Sequence, residues 1–246
     1  MIKEPDIQSL ANRFWERAGR TAPYPRNMWV PVQRAFPITI RQIHELSVNH
    51  VYADLSSIGY SDPPDTPERR LRGCLVALQG YGIIFLDAAD LPEERNFSLA
   101  HEASHFIIDH WQPREAVRKS ISPNALEAFD GERAPTVVER FKGIRNGIAI
   151  RPLEHFMDRD PDGNIRVSSL MRSENKADRL ALELLAPALK VVGRQRFATR
   201  PKSGDEIADV LKREFGLPAP VALSYGEFLF LKYIPDSSLR ERFGVK

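Results

Sequence analysis

Cysteine is almost absent from this chain of 246 residues, in which Cys74 is the single example. A disulfide within the chain and a cysteine-rich zinc ribbon are therefore excluded, and we interpret Cys74 as a small buried residue of a strand. Long apolar runs are also missing, because the longest stretches, LVAL and GIIFLD, are far too short to cross a bilayer. The N-terminus carries acids and lacks the apolar core of a secretory signal, so we expect a cytoplasmic protein.

Charge of one sign does not dominate either. Lys and Arg number 35 and Asp and Glu 33, which gives a net charge of +2. This balance argues against a protein that coats nucleic acid or an anionic membrane. The hydrophobic fraction of 42% is typical of a globular chain, and the length suits one large domain or one domain with an appendage.

Helical periodicity and strand-like runs alternate along the chain and predict an α+β fold. Two runs at 72–78 and 82–87 predict a hairpin, and a second hairpin is predicted around the turn sequence DRDPDG. Pro23, Pro25, Pro31 and Pro37 predict an irregular or extended segment. Apolar spacing predicts helices at 5–18, 48–58, 91–111 and 173–187 and two more in the C-terminal part.

These elements suggest three regions. We expect an N-terminal extension at 1–46, a main domain at 47–190 and a C-terminal helical region at 191–246. Within the main domain, the polar stretch 112–170 has the character of an insertion.

The segment His101-Glu102-Ala103-Ser104-His105 has the pattern H-E-x-x-H. On a helix, residues four apart lie on the same face, so the two imidazoles can bind one metal ion and Glu102 can reach a water molecule at that ion. The competing interpretation is a core helix with two surface histidines.

Zinc at a catalytic site needs a third protein ligand. The extended metzincin pattern is excluded, because Ile108 and Trp111 stand where it requires Gly and His. A later helix offers Glu174 as a ligand, with Asp178 one turn further on to accept a hydrogen bond from a ligating histidine. The alternative is a solvated acidic first turn, which helix N-termini favour.

The hairpin that precedes the H-E-x-x-H helix suggests how a peptide could bind. An extended peptide can add to an exposed strand edge, and Tyr81, Ile83 or Phe85 could line such a groove. A strand pair buried in the core is the simpler alternative.

Together, these motifs resemble those of the ImmA/IrrE-type metallopeptidases. The resemblance rests on LPEERNFSLAHEASH (91–105), the hairpin before it, and ENKADRLALELLAP (174–187). It covers about a quarter of the chain. Ala103-Ser104 replaces the Leu-Gly that the family usually has between the motif histidines, and the spacing from His105 to Glu174 is longer than in compact members.

The resemblance implies a zincin-like fold with a small sheet packed on the H-E-x-x-H helix. It implies a gluzincin-like zinc site with His101, His105 and Glu174 as ligands and Glu102 as general base. It also implies cleavage of a helix-turn-helix repressor, which would relieve repression of stress-response or mobile-element genes. The long insertion leaves His110 or His155 open as a closer third ligand.

Zinc is the expected cofactor, although two histidines and a glutamate also suit manganese or iron. Tyr225, Tyr81 and His110 are candidate donors to the oxyanion of the reaction. Two other functions compete with proteolysis. They are a non-proteolytic zinc-containing regulator that binds a partner protein or DNA, and an interaction module with a vestigial site.

Two further patterns have simpler explanations. Asp158, Asp160, Asp162 and Gly163 begin like a calcium loop, but Ser169 replaces the required Glu, so a hairpin tip is favoured. Residues 205–230 could form a helix-turn-helix. The second helix, PVALSYGEFLF, contains no Lys or Arg, so a packing role is favoured over DNA binding.

Overall fold

A computed structural model describes residues 6–19, 22–59, 66–78, 80–120, 124–146, 153–159, 176–193 and 201–234. The described elements form an α+β fold with a small mixed sheet. In chain order they are α1 Ile7–Arg17, α2 Trp29–Ala35, β1 Ile38–Ile43, α3 Val48–Ser57, β2 Leu71–Leu78, β3 Tyr81–Asp87, α4 Pro92–His105, a π-helical turn Phe106–Trp111, α5 Gln112–Ser120, α6 Ala125–Phe129, α7 Val137–Asn146, β4 Leu153–Asp158, α8 Lys176–Leu185, α9 Ala188–Val191, α10 Gly204–Phe215 and α11 Ala219–Tyr233.

The sheet has the order β1-β3-β2-β4. The predicted hairpin is confirmed, because β2 and β3 pair antiparallel, with Leu78 opposite Tyr81. Both of its strands are interior, since β1 adds parallel to β3 and β4 adds antiparallel to β2. The edge strands of the described sheet are therefore β1 and β4. β1 lies in the segment 1–46, which is thus joined by hydrogen bonds to the sheet of the following region.

Helix α4 begins where the sequence supplies a start signal. Pro92 occupies its first turn, where a missing N–H costs nothing, and the Glu94 carboxylate accepts a hydrogen bond from the Leu91 N–H at 3.1 Å. The helix packs on the sheet through Phe97, Leu99 and other apolar residues of the largest core cluster. A second, smaller cluster lies on the opposite face of the sheet, under α3.

Helix α8 packs against both α1 and α4. Its apolar side, from Ala177 to Leu185, is buried in the main core. This packing brings the later sequence motif against the H-E-x-x-H helix. The start of the predicted helix, including Ser173, lies outside the described residues.

The C-terminal helices α10 and α11 form a tight pair. Gly204 lies against the backbone of Glu227, and Gly226 lies against the carbonyl of Gly204, where an added Cβ would be only 2.5 Å from the oxygen. Gly216 ends α10 in the left-handed region, at φ 66°. Apolar residues of both helices, among them Leu211 and Leu229, belong to the largest core cluster.

The structure also bears on the proline-containing segment and on the second predicted hairpin. The proline-containing segment was expected to be irregular or extended, and residues 22–28 are irregular as expected. Residues 29–35 instead form α2, in which Pro31 sits in the first turn and breaks no helical hydrogen bond. Of the second hairpin, β4 is present and pairs with β2, while the turn and the returning strand lie outside the described residues, as do Asp160, Asp162 and Gly163. None of the described helices has both the length and the apolar character needed to cross a membrane.

Candidate metal centre

The two histidines of the motif lie on one buried face of α4. His101 is 6% exposed, and only 14% of the His105 side chain is accessible. Their ring centroids are 4.8 Å apart and the ring planes meet at 65°. Two rings inclined in this way can direct nitrogen lone pairs toward a shared point.

Asp178, at the N-terminal end of α8, reaches the first histidine. Its Oδ1 lies 2.7 Å from Nδ1 of His101, and both side chains are almost fully buried. Glu174 lies outside the described residues, so the structure gives it no position relative to this pair.

Asp109 reaches the second histidine. Its Oδ2 lies 2.6 Å from Nδ1 of His105, and 42% of the Asp109 side chain is accessible. Asp109 belongs to the π-helical turn that follows α4 directly, a local form that often marks functional sites. The sequence interpretation missed this residue, although its i+4 spacing from His105 was a usable signal.

His155, on the edge strand β4 of the described sheet, lies beside His101 and His105, so that three histidines form one group. One ligand nitrogen from each of His101, His105 and His155 lies within 4.8 Å of the others, close enough to bind a metal ion. The His155 ring stacks on the His105 ring, with centroids 3.6 Å apart and planes inclined by 21°. Its Nδ1 donates a hydrogen bond to Glu102 Oε2 at 2.9 Å.

Glu102, on α4, is fully buried and contacts residues of β2 and β4. Its Oε1 and Cγ would lie 3.3 and 3.4 Å from a Cβ added at Gly73 of β2, so the missing side chain at Gly73 makes room for the carboxylate. Oε1 has no hydrogen-bond partner among the described residues, whereas Oε2 is held by His155. The motif glutamate is therefore fixed at one oxygen and unpartnered at the other.

Strand β4 is anchored around His155 by polar contacts. The Tyr52 hydroxyl donates to Glu154 Oε2 at 2.9 Å, and Arg159, just after the strand, donates to Asp87 at 2.6 Å and to Asp90 at 2.7 Å. These contacts fix the strand, and with it the backbone that carries His155.

The pKa values of His105 and His155 are shifted in opposite directions. Burial lowers the pKa of His105 although Asp109 acts to raise it, and this favours the neutral ring that binds metals. For His155, burial acts to lower the pKa, but the charge and hydrogen bond of Glu102 outweigh it and the pKa rises. Each ring has a carboxylate at Nδ1, in the pairs His101–Asp178, His105–Asp109 and His155–Glu102.

A carboxylate that accepts a hydrogen bond from Nδ1 fixes the ring proton there and leaves the Nε2 lone pair free to bind. Asp109 makes such a hydrogen bond with His105, whereas Asp178 Oδ1 lies 2.7 Å from His101 Nδ1 without hydrogen-bond geometry. His105 Nε2 is buried and has no hydrogen-bond partner in the described part of the chain. Imidazole nitrogens suit zinc, so the residues present fit this metal.

The described contacts of the three candidate oxyanion donors are not with the three histidines or with Glu102. The Tyr225 hydroxyl donates to the Ala186 carbonyl at 3.2 Å. His110 is buried against Phe106 and Phe129. Tyr81 is 64% exposed at the start of β3.

The groove expected along the hairpin is not an open edge. Both strands are paired on both sides, and Phe85 is fully buried beneath α3. The edge beside the histidines belongs to β4, because β4 pairs only with β2 within the described residues.

Comparison with known proteins does not identify the chain, because no protein-family model and no curated protein match it.

Proposed function

We propose that this protein is a zinc-dependent endopeptidase with a zincin-like active site, similar to the ImmA/IrrE-type metallopeptidases. The observation that carries the proposal is the arrangement on α4. Two inclined histidines each have a carboxylate at Nδ1, and the motif glutamate lies buried beside them. A core helix with two surface histidines does not account for this arrangement, because His101 and Glu102 are both buried.

In this proposal His101 and His105 hold the zinc ion, and Glu174 supplies the third ligand that the family resemblance implies. When bound, zinc supplies a Lewis acid for a peptide carbonyl and lowers the pKa of water at the site. Asp109 holds the His105 ring by a hydrogen bond so that its Nε2 remains available, and the Asp178 carboxylate, 2.7 Å from His101 Nδ1, favours the same ring orientation for His101.

Glu102 is the general base. Its carboxylate takes a proton from the attacking water and passes it to the amine that leaves when the peptide bond breaks. The unpartnered Oε1 supports this role, because a buried carboxylate oxygen without a hydrogen-bond partner can accept that proton.

The edge of β4 that has no partner strand among the described residues is the proposed binding site for the substrate. An extended peptide would add there through main-chain hydrogen bonds, directly beside His155 and the motif histidines. The proposed substrate is a protein regulator, and a helix-turn-helix repressor is the kind that the family resemblance suggests.

The test uses the purified, zinc-loaded protein and a helix-turn-helix repressor encoded near its gene, the kind of substrate that the family resemblance suggests. Mass spectrometry should detect a cleavage product that disappears with a chelator and with Glu102→Gln, while Glu102→Gln still binds one zinc ion. The proposal fails if the zinc-loaded wild type cleaves no faster than Glu102→Gln. If the regulator binds without being cut, the non-proteolytic function is correct instead.

A further inference from the structure

His155 makes two contacts at the site that differ in kind. Its ring stacks on His105 with centroids 3.6 Å apart, and its Nδ1 donates to Glu102 Oε2 at 2.9 Å. The first contact concerns a predicted ligand and the second concerns the predicted base. The stack shows that His105 and His155 cannot both bind one ion, and the helical spacing of His105 from His101 assigns the ligand role to His105.

An imidazole ligand directs its nitrogen lone pair within the plane of the ring, so two ligands of one ion must have planes that meet at that ion. Two stacked rings with centroids 3.6 Å apart and planes inclined by only 21° have planes that do not meet near the rings. The pair His101–His105 is different, because its planes meet at 65°. Bonds from zinc to nitrogen are about 2.0–2.1 Å long, a distance that the stacked pair cannot offer in both planes at once.

We propose that His155 is a positioning residue for Glu102 and not the third metal ligand. This inference rests on the proposed function. The Nδ1–H of His155 holds Oε2 of the carboxylate, and Gly73 leaves the space in which the other oxygen lies. Glu102 is thereby kept in one orientation beside the two motif histidines.

The location of His155 connects this role to the substrate. β4 is an edge strand of the described sheet and is proposed to receive a peptide, and His155 lies opposite Leu75 in the pairing of β4 with β2. The strand that binds the substrate therefore also aligns the base. Misalignment of Glu102 should slow the chemical step and leave metal binding unchanged.

Two variants of His155 distinguish the effect of its hydrogen bond to Glu102 from the effect of its ring stacked on His105. His155→Phe keeps an aromatic ring to stack on His105 but has no donor. His155→Asn loses the ring but carries an N–H donor at the position of Nδ1. Glu174→Gln is the matched control for the third ligand.

Zinc affinity is measured by competition with a chromophoric chelator. We expect both His155 variants to bind zinc within about threefold of wild type and Glu174→Gln to bind it at least about tenfold more weakly. A loss of more than about 100-fold in His155→Phe, with Glu174→Gln unchanged, would make His155 the ligand and overturn the inference. This readout does not depend on activity, so it stands even if the protein cleaves no peptide.

Kinetics on the peptide that the wild type cleaves test the positioning role. We expect kcat to fall about 10- to 100-fold in His155→Phe, the range for a lost hydrogen bond to a charged group. His155→Asn should recover most of this loss, and KM should stay unchanged in both. Wild-type kcat in His155→Phe would contradict the role.

A crystal structure of zinc-loaded His155→Phe gives a third readout that needs no substrate. The inference expects the Glu102 carboxylate to leave the orientation that it has in the wild type. An unmoved carboxylate would count against it.

Discussion

Asp178 Oδ1 lies 2.7 Å from His101 Nδ1, although the two residues belong to different helices and to motifs far apart in the sequence. Both side chains are nearly buried, so water competes little for the contact. The negative charge of the carboxylate at this distance favours a proton on Nδ1 of His101 over one on Nε2, and the contact joins α8 to the proposed metal centre.

Asp178→Asn should weaken zinc binding by about 10- to 100-fold, the usual effect of losing a carboxylate behind a histidine ligand. The amide keeps the size of the side chain but loses its charge. Affinity is measured by chelator competition. Asp209→Asn, at an exposed carboxylate on α10, is the control and should bind zinc as the wild type does. Equal affinities in the two variants would show that Asp178 does not act on His101.

Asp109→Asn should have a smaller effect, below about tenfold on zinc affinity. Its carboxylate also contacts a predicted ligand, but 42% of the side chain is accessible, so solvent screens the interaction. The same competition assay ranks the two variants. The opposite order, with Asp109→Asn weaker than Asp178→Asn, would contradict the argument from burial.

Gly73→Ala should reduce catalysis without unfolding the protein. The added Cβ would lie 3.3 Å from Glu102 Oε1, so the carboxylate must shift by a few tenths of an ångström. We expect kcat to fall about tenfold, because small displacements of catalytic groups are costly. Zinc affinity should be unchanged, and the melting temperature should not fall, since Ala is better accepted than Gly within a strand. A variant with wild-type kcat would show that the close approach of Gly73 is not needed.

His110 should make the fold sensitive to acid. The ring is 1% exposed, and burial together with the charge of Arg114 lowers its pKa to about 4, against the opposing effect of Asp130. The unfolded chain, with a pKa near 6.5, therefore binds more protons between about pH 6.5 and 4. Stability is complete above this window and is lost as the pH falls through it.

Urea unfolding at pH 7.5 and 5 measures this effect. The wild type should lose about 2 kcal/mol more than His110→Leu between the two pH values. His44→Gln changes an exposed histidine and is the control, with the pH response of the wild type. An equal loss in wild type and His110→Leu would show that His110 is not the group responsible.

Gly226→Ala should destabilise the protein although Ala normally favours a helix by about 1 kcal/mol over Gly. The added Cβ would lie 2.5 Å from the Gly204 carbonyl oxygen and 2.9 Å from the Ala208 nitrogen, so α10 and α11 must separate. Overpacking of this kind costs about 1–3 kcal/mol. Urea denaturation checks it, with Ser224→Ala on the same helix as a control expected to change the free energy of unfolding by less than about 0.5 kcal/mol.

Local patterns in the sequence were sufficient to predict the helices and strands that carry the candidate metal centre. The spacing of His101 and His105 on a continuous helix, the β2–β3 hairpin before it and the apolar side of α8 all follow from short-range periodicity and turn residues. Asp109 could also have been found in this way, because it lies one turn beyond His105.

The sequence by itself determined which helix carries the two imidazoles and the glutamate, because residues four apart on a helix share a face whatever surrounds them. Only the tertiary structure decided that β4 lies at the edge beside them, that His155 therefore contacts Glu102, and that Gly73 makes room for the carboxylate. These contacts join residues from separate strands and a helix. They depend on how the sheet is ordered and on how α4 crosses it, which no local periodicity encodes.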